Sequence, residues 1–184
     1  MVPTQEECLR LLKKFDVPDH IIEHSRKVYE VAVCLCRLWN RQGGELDEPR
    51  IVAASWLHDI AKMDGLRSGE NHSLAGAQLL AGMGYFEVGE IVRQHVVLDP
   101  QPPEGPIGEA AVVHYADKRV KHTAIVSLRE RFQDLKERYG KTPAALTWIE
   151  NLERETLELE ERIFKGLSVS PESLKNRAEE GGCI

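Results

Sequence analysis

The chain has 184 residues, a length that suits one domain with a substantial core. Its composition, 42% hydrophobic and 29% charged, is that of an ordinary globular protein, and no run approaches the roughly 20 apolar residues a membrane helix needs. A net charge of -6 argues against stable nucleic-acid binding, which rests on an excess of Lys and Arg, but leaves room for a small anionic substrate where a metal reverses the local sign.

The four cysteines, Cys8, Cys34, Cys36 and Cys183, form no C-x-x-C pair. They are read as reduced, small apolar residues, and Cys183 is next to last, the wrong place for a prenylation box. The start MVPTQEE has no apolar signal region, so a cytoplasmic location is expected.

The pattern is helical nearly throughout. A first helix is expected from about Thr4, a candidate N-cap, to Lys14, broken by Asp16-Val17-Pro18. A long helix follows from Asp19 to Arg41, ended by Gly43-Gly44. The third opens near Asp47 with Pro49 in its first turn and reaches about Ile60. Asp64-Gly65 through Glu70 reads as a loop, Asn71 caps a fourth helix to Gly82, and a fifth spans Phe86 to His95. The proline-rich stretch 98–108, LDPQPPEGPIG, is a loop expected to serve as a lid or wall. Helices resume over Glu109–Lys121, Ser127–Tyr139 and Pro143–Lys165. The acid-rich run NLERETLELEERIF is read as a solvated helix face. Residues 167–184 are expected to be a polar, loosely held tail. The fold class is therefore all-α, a single-domain bundle of seven to eight helices over residues 1–166.

Polar groups fall on the apolar stripes. The segment ASWLHDIAK sets His58, Asp59 and Lys62 inside an apolar run, and each is costly to bury unless paired or bound to a metal. His24 lies on the stripe Ile21, Val28, Val31/Ala32 and Leu35, and His95 on the stripe Val88, Ile91 and Val92. Asp117 sits at the margin of Val113 and Val120, and a loop delivers His72 to the first turn of its helix. Three inward histidines from different helices, with two carboxylates, are satisfied together by a metal centre in a helical core. His and Asp suit divalent Mn, Fe, Co, Ni, Zn or Mg, and no thiolate is placed to make the site soft. His114 neighbours the Asp117 turn and is a candidate to orient a ligand; His122 reads as a surface residue.

The order His24, His58-Asp59, Asp117 resembles the H…HD…D pattern of the HD-domain metal-dependent phosphohydrolases. LHDIAK is similar to that superfamily's helix end LHDIGK, with Ala61 in place of Gly, and HSRKV and YADKRV fit the same pattern. His72 and His95 extend it to H…HD…H…H…D, which resembles the HDIG-like branch with two metals. The similarity covers about residues 18–123, and the helices beyond Ser127 lie outside it. It implies a first ion on His24, His58, Asp59 and Asp117, and a second on His72 and His95 with Asp59 as the bridge. It further implies two divalent ions, with Fe or Mn favoured. A metal-activated hydroxide would then cleave a phosphate ester or anhydride of a small nucleotide-like substrate. Lys62, one turn beyond His58, and Arg67 are the candidate phosphate contacts, and Asp59 and Lys62 the candidate catalytic pair.

Other readings differ in what they leave unexplained. A one-metal nucleotide phosphatase would use His72 and His95 on the substrate phosphate. A non-catalytic regulatory HD domain would keep the metal pocket without turnover. HIIEH, residues 20–24, formally matches an H-x-x-E-H zinc peptidase, but that leaves His58, His95 and Asp117 without a role. A purely structural helical protein is the last alternative. The C-terminal helices offer a surface for homo-oligomer contact.

Overall fold

The computed structural model describes residues 1–102 and 104–179. Its helix starts follow local capping chemistry. α1 (Gln5–Lys14) opens on Thr4, whose hydroxyl accepts from Glu7 N while the Glu7 carboxylate takes the Thr4 N–H, a reciprocal capping box. α2 (Asp19–Arg41) follows Pro18 and buries Ile21, His24, Val28, Val31, Ala32 and Leu35 at three-and-four spacing. α3 (Glu48–Leu57) opens on Asp47 with Pro49 in its first turn, so the Asp side chain accepts an end N–H that has no helical partner.

α2 is the axis of the molecule. α3, α7 (Glu109–Lys118) and α10 (Leu174–Glu179) pack against it. α5 (His72–Gly82) pairs with α6 (Phe86–Arg93), and α6 closes on α3. Gly89 allows that pairing, since a Cβ there would lie 2.9 Å from the carbonyl oxygen of Ala77. α8 (Leu128–Tyr139) and α9 (Pro143–Lys165) form a hairpin that docks on α7. α9 buries Ile149, Leu152, Thr156, Leu159 and Ile163 and turns Glu155, Glu158 and Glu161 outward to a solvated face, whereas Glu160 turns in to Tyr115 and Arg119.

The class is all-α, with ten α-helices among the described residues rather than seven or eight. The segment read as a loop over Asp64–Glu70 is mostly helix, α4 (Lys62–Ser68), closed by Gly69 at φ 77°. The third helix stops at Leu57, and Ile60 N bonds back to Leu57 O in a tighter turn. The helix expected to reach Lys121 stops at Lys118, because a short antiparallel ladder takes over. There β1 (Val120–Lys121) pairs with β2 (Ala124–Ile125), with Val120 opposite Ile125.

Two further expectations are corrected. The tail beyond Gly166 is not uniformly polar and loose, since Leu167 and Leu174 enter the core and α10 packs on α2. The reading of every cysteine as reduced holds for Cys8 and Cys36, which are free and buried, but Cys34 is disulfide-bonded. Cys183 lies outside the described residues. No helix among the described residues is long and apolar enough to cross a membrane.

Candidate metal centre

The turn after α3 explains the His58-Asp59 pair. Neighbouring residues inside a helix point well apart. Here Ile60 N reaches Leu57 O at 3.1 Å and Lys62 N reaches Asp59 O at 3.0 Å, and the tightened backbone sends both side chains into one buried space. His24 enters from α2, His72 from the start of α5, His95 from just beyond α6 and Asp117 from α7.

Each of three imidazoles is anchored through Nδ1 to a main-chain carbonyl. His24 Nδ1 donates to His122 O at 3.0 Å, His58 Nδ1 to Ser55 O at 2.8 Å, and His95 Nδ1 to Val92 O at 2.7 Å. A carbonyl only accepts, so Nδ1 carries the proton in all three, and in its neutral form each ring presents Nε2 as a lone pair. Those lone pairs converge. The rings form a continuous series, His24 to His58 at 5.3 Å, His58 to His95 at 5.0 Å and His95 to His72 at 5.0 Å between centroids.

The convergence brings Nε2 atoms against carboxylate oxygens and against one another. His24 Nε2 lies 3.1 Å from Asp117 Oδ1, and His95 Nε2 lies 3.1 Å from His72 Nε2. His58 Nε2 and Asp59 Oδ1 are fully buried with no hydrogen-bond partner. His72 Nε2 and His95 Nε2 approach Asp59 Oδ1 at 3.3 and 3.5 Å without bonding to it. Orphaned buried acceptors at this density are unfavourable unless a cation sits among them. Two groups have ligand atoms within 4.8 Å of one another: His24, His58 and Asp59, and Asp59, His72 and His95. Asp59 belongs to both. Asp117 stands beside the first group, with Oδ1 3.7 Å from His58 Nε2. The set of nitrogen and carboxylate donors fits a divalent ion.

The electrostatics suit such an ion. Burial works to raise Asp59, but His58 and Lys62 overcome it and hold the carboxyl well below the usual range. Burial likewise acts to raise Asp117, and Lys118 with His24 and His58 keeps it well below. Burial pushes His95 down to about 4, so it is a neutral donor at pH 7.

Cations flank the centre. Lys62 Nζ donates to Asp59 Oδ2 at 2.6 Å from the first residue of α4, with its side chain about one-third exposed. Lys118 Nζ donates to Asp117 Oδ2 at 2.8 Å and to the carbonyl of His95 at 2.9 Å. His114 Nδ1 donates to the same carbonyl at 3.1 Å, so it supports the backbone of His95 rather than a ligand ring. His122, read as a surface residue, contributes its carbonyl to His24 from a left-handed turn position at φ 55°.

The structure brings His24, His58, Asp59, His72, His95 and Asp117 together, with Lys62 beside them. It does not bring Arg67 there, because that side chain lies on the solvent face of α4 and pairs with Asp64 at 2.5 Å. Nor do the described residues of the proline-rich loop wall the site. Leu98, Asp99, Pro100 and Gln101 line a separate cavity against α9. The cleft over Asp59, about 330 Å³, is closed instead by the α8–α9 hairpin. Arg131, Tyr139 and Trp148 line it and were missed from sequence. The available signal was weak: Leu128, Phe132 and Leu135 mark the inward stripe of α8, and Arg131 flanks it.

The chain aligns at 28% identity over 162 residues with a tRNA (cytidine(56)-2'-O)-methyltransferase of Thermoplasma volcanium, covering 77% of this chain and 46% of that protein. The protein of that name from Picrophilus torridus aligns at 25% over 142 residues, covering 70% of this chain and 40% of its own length. The chain thus spans under half the length of these relatives. A crystal structure of a predicted HD superfamily hydrolase from an uncultured Thermotogales bacterium overlaps 87% of this chain and 91% of its own, at 22% identity and a TM-score of 0.47. The family model described as HD domain matches residues 21–121, more than half of the sequence and the stretch that holds all six converging side chains, and this chain belongs to the HD domain family.

Proposed function

We propose that the chain is a metal-dependent phosphohydrolase acting on a phosphate ester or anhydride of a small, nucleotide-like molecule. The observation that carries this reading is the set of three Nδ1-anchored imidazoles aiming their Nε2 atoms at carboxylates that are themselves ionised. His24, His58 and Asp59, with Asp117 beside them, would hold one ion, and Asp59, His72 and His95 a second. The family resemblance favours Fe or Mn, and the donor set also accommodates Mg, Co, Ni or Zn. Bound there, divalent ions supply Lewis acidity and a water of lowered pKa.

The chain's own residues do the rest. Asp59 spans both groups, and Lys62 occupies its Oδ2, leaving Oδ1 toward His72 and His95. The Lys62 ammonium reaches the cleft and is positioned to meet a phosphoryl oxygen as a point charge. Lys118 and His114 keep the His95 segment in place, and Lys118 also holds Asp117 ionised. Buried walls around Asp59 exclude bulk water, which strengthens every charge interaction inside.

A second reading comes from the relatives named as tRNA methyltransferases, which associate this type of chain with RNA metabolism. In that reading the substrate is a small phosphate released from RNA, and the same chemistry serves it. A non-catalytic regulatory role is separated by turnover.

The test is a turnover screen of mononucleotides, dinucleoside polyphosphates, cyclic dinucleotides and 3'-phosphorylated nucleotides, with Mn, Fe, Co, Ni, Mg and Zn supplied in turn. Asp59→Ala is expected to abolish hydrolysis and to lower bound metal in elemental analysis, because it removes the residue common to both groups. Full metal content together with full turnover in that variant would sink the proposal.

A further inference from the structure

The metal-facing floor of the cleft comes from the HD segment, residues 21–121, but its outer wall does not. That wall is the α8–α9 hairpin, which presents Arg131, Leu135, Tyr139, Trp148 and Leu152. Functional selectivity resides in what is grafted onto a shared core, so the composition of this wall bears on the substrate.

Its aromatic residues are not there for packing. Ile149 and Leu152 anchor α9 in the core, whereas Trp148 is 50% exposed and Tyr139 56% exposed. With Leu66 across the cleft, they concentrate exposed apolar surface around one opening, a pattern that marks recognition. The Arg138 guanidinium covers one face of the Tyr139 ring, 5.2 Å from its centroid. Trp148 makes no ring–ring or cation–π contact among the described residues, so its indole is open to a planar partner.

Arg131 supplies the complementary charge. Its Nη1 pairs with Asp134 at 3.3 Å, but that same carboxylate is shared with Lys121 at 3.4 Å and Arg138 at 3.5 Å. Three cations share that one carboxylate, Arg131 alone of them lines the cleft, and its Nε is buried without a partner. Lys62 and Lys118, by contrast, each have a carboxylate oxygen.

We propose that the α8–α9 hairpin selects the substrate: Trp148 stacks on a nucleobase while Arg131 holds the phosphate end near Lys62. The inference rests on the phosphohydrolase reading and narrows it to phosphates that carry a planar base. A phosphate without a base would use Arg131 and Lys62 but gain nothing from Trp148.

The experiment compares AMP with ribose 5-phosphate on the full chain with Mn²⁺, in wild type, Trp148→Ala, Trp148→Phe and Arg131→Met. Both kcat/KM and calorimetric affinity are read, so the binding arm decides even where neither compound turns over. Wild type is expected to prefer AMP. Trp148→Ala should lower that preference about five- to a hundredfold, the range that removal of an aromatic base-stacking partner causes, and Trp148→Phe should restore most of it. Arg131→Met should weaken both ligands to a similar degree. A preference unchanged in Trp148→Ala, or a wild type that binds both compounds alike or neither, overturns the inference. Absence of turnover across the whole substrate and metal screen, with the binding preference intact, overturns the phosphohydrolase reading alone.

Discussion

Gly65 shows how much of the site depends on single atoms. A Cβ at this position would lie 2.8 Å from the Cβ of His72 and 2.9 Å from the carbonyl oxygen of Glu70, both closer than real Cβ atoms come. Neither neighbour is the free end of a flexible side chain, so Gly65→Ala must push α4 away from the start of α5 and carry His72 with it. The expected result is a protein that keeps its fold and the His24 group but loses metal at the His72 group, with a 10- to 100-fold fall in turnover as is usual when a site's support is lost. Elemental analysis showing metal content equal to wild type would refute this. From the sequence, Gly65 marked a turn; its role in admitting His72 depended on a contact between two helices.

Among the elements, α8 has the clearest local signature. Ser127 accepts from Glu130 N at 3.2 Å, and the Glu130 carboxylate takes Ser127 N at 2.9 Å. Ser127→Ala should cost about 0.5–2 kcal/mol of stability, read as a lower urea midpoint at an unchanged slope. An unaltered midpoint would mean that docking on α7, not the cap, sets this helix start. The helices most legible from sequence were α1 and α3, each opened by a side-chain cap, and α2, which lacks one but carries a long apolar stripe. α4 and α10 were not legible. Lys62–Ser68 contains a glycine and lacks a side-chain cap, and it is helical because α5 packs against it. α10 is six residues long, too short to stand alone, and Leu174 holds it in the core.

For the molecule as a whole, the proposed metal centre would tie the helices together. His24, His58, His72, His95 and Asp117 come from separate parts of the chain, so an ion bound to the folded state alone stabilises all of them at once. At a hundredfold excess over its Kd, Mn²⁺ should add about 2.7 kcal/mol, or a rise in Tm of about 5–10 °C for a domain of this size. A thermal melt with Mn²⁺ against EDTA checks this, and Asp59→Ala should abolish the difference. A wild-type Tm indifferent to metal would show that the imidazoles are satisfied without one.

The residues alone determined the helical class and the converging set of His24, His58, Asp59, His72, His95 and Asp117. Helical periodicity is a local property, and an ionisable group on an apolar stripe announces its own need for a partner. Tertiary structure decided which cations reach the site. Arg67 turned to solvent with α4, while Arg131 and Trp148 turned inward only because the α8–α9 hairpin docks on α7. An exposed flank of a helix carries no periodic signal for what stands opposite it; that is set by where a distant element packs.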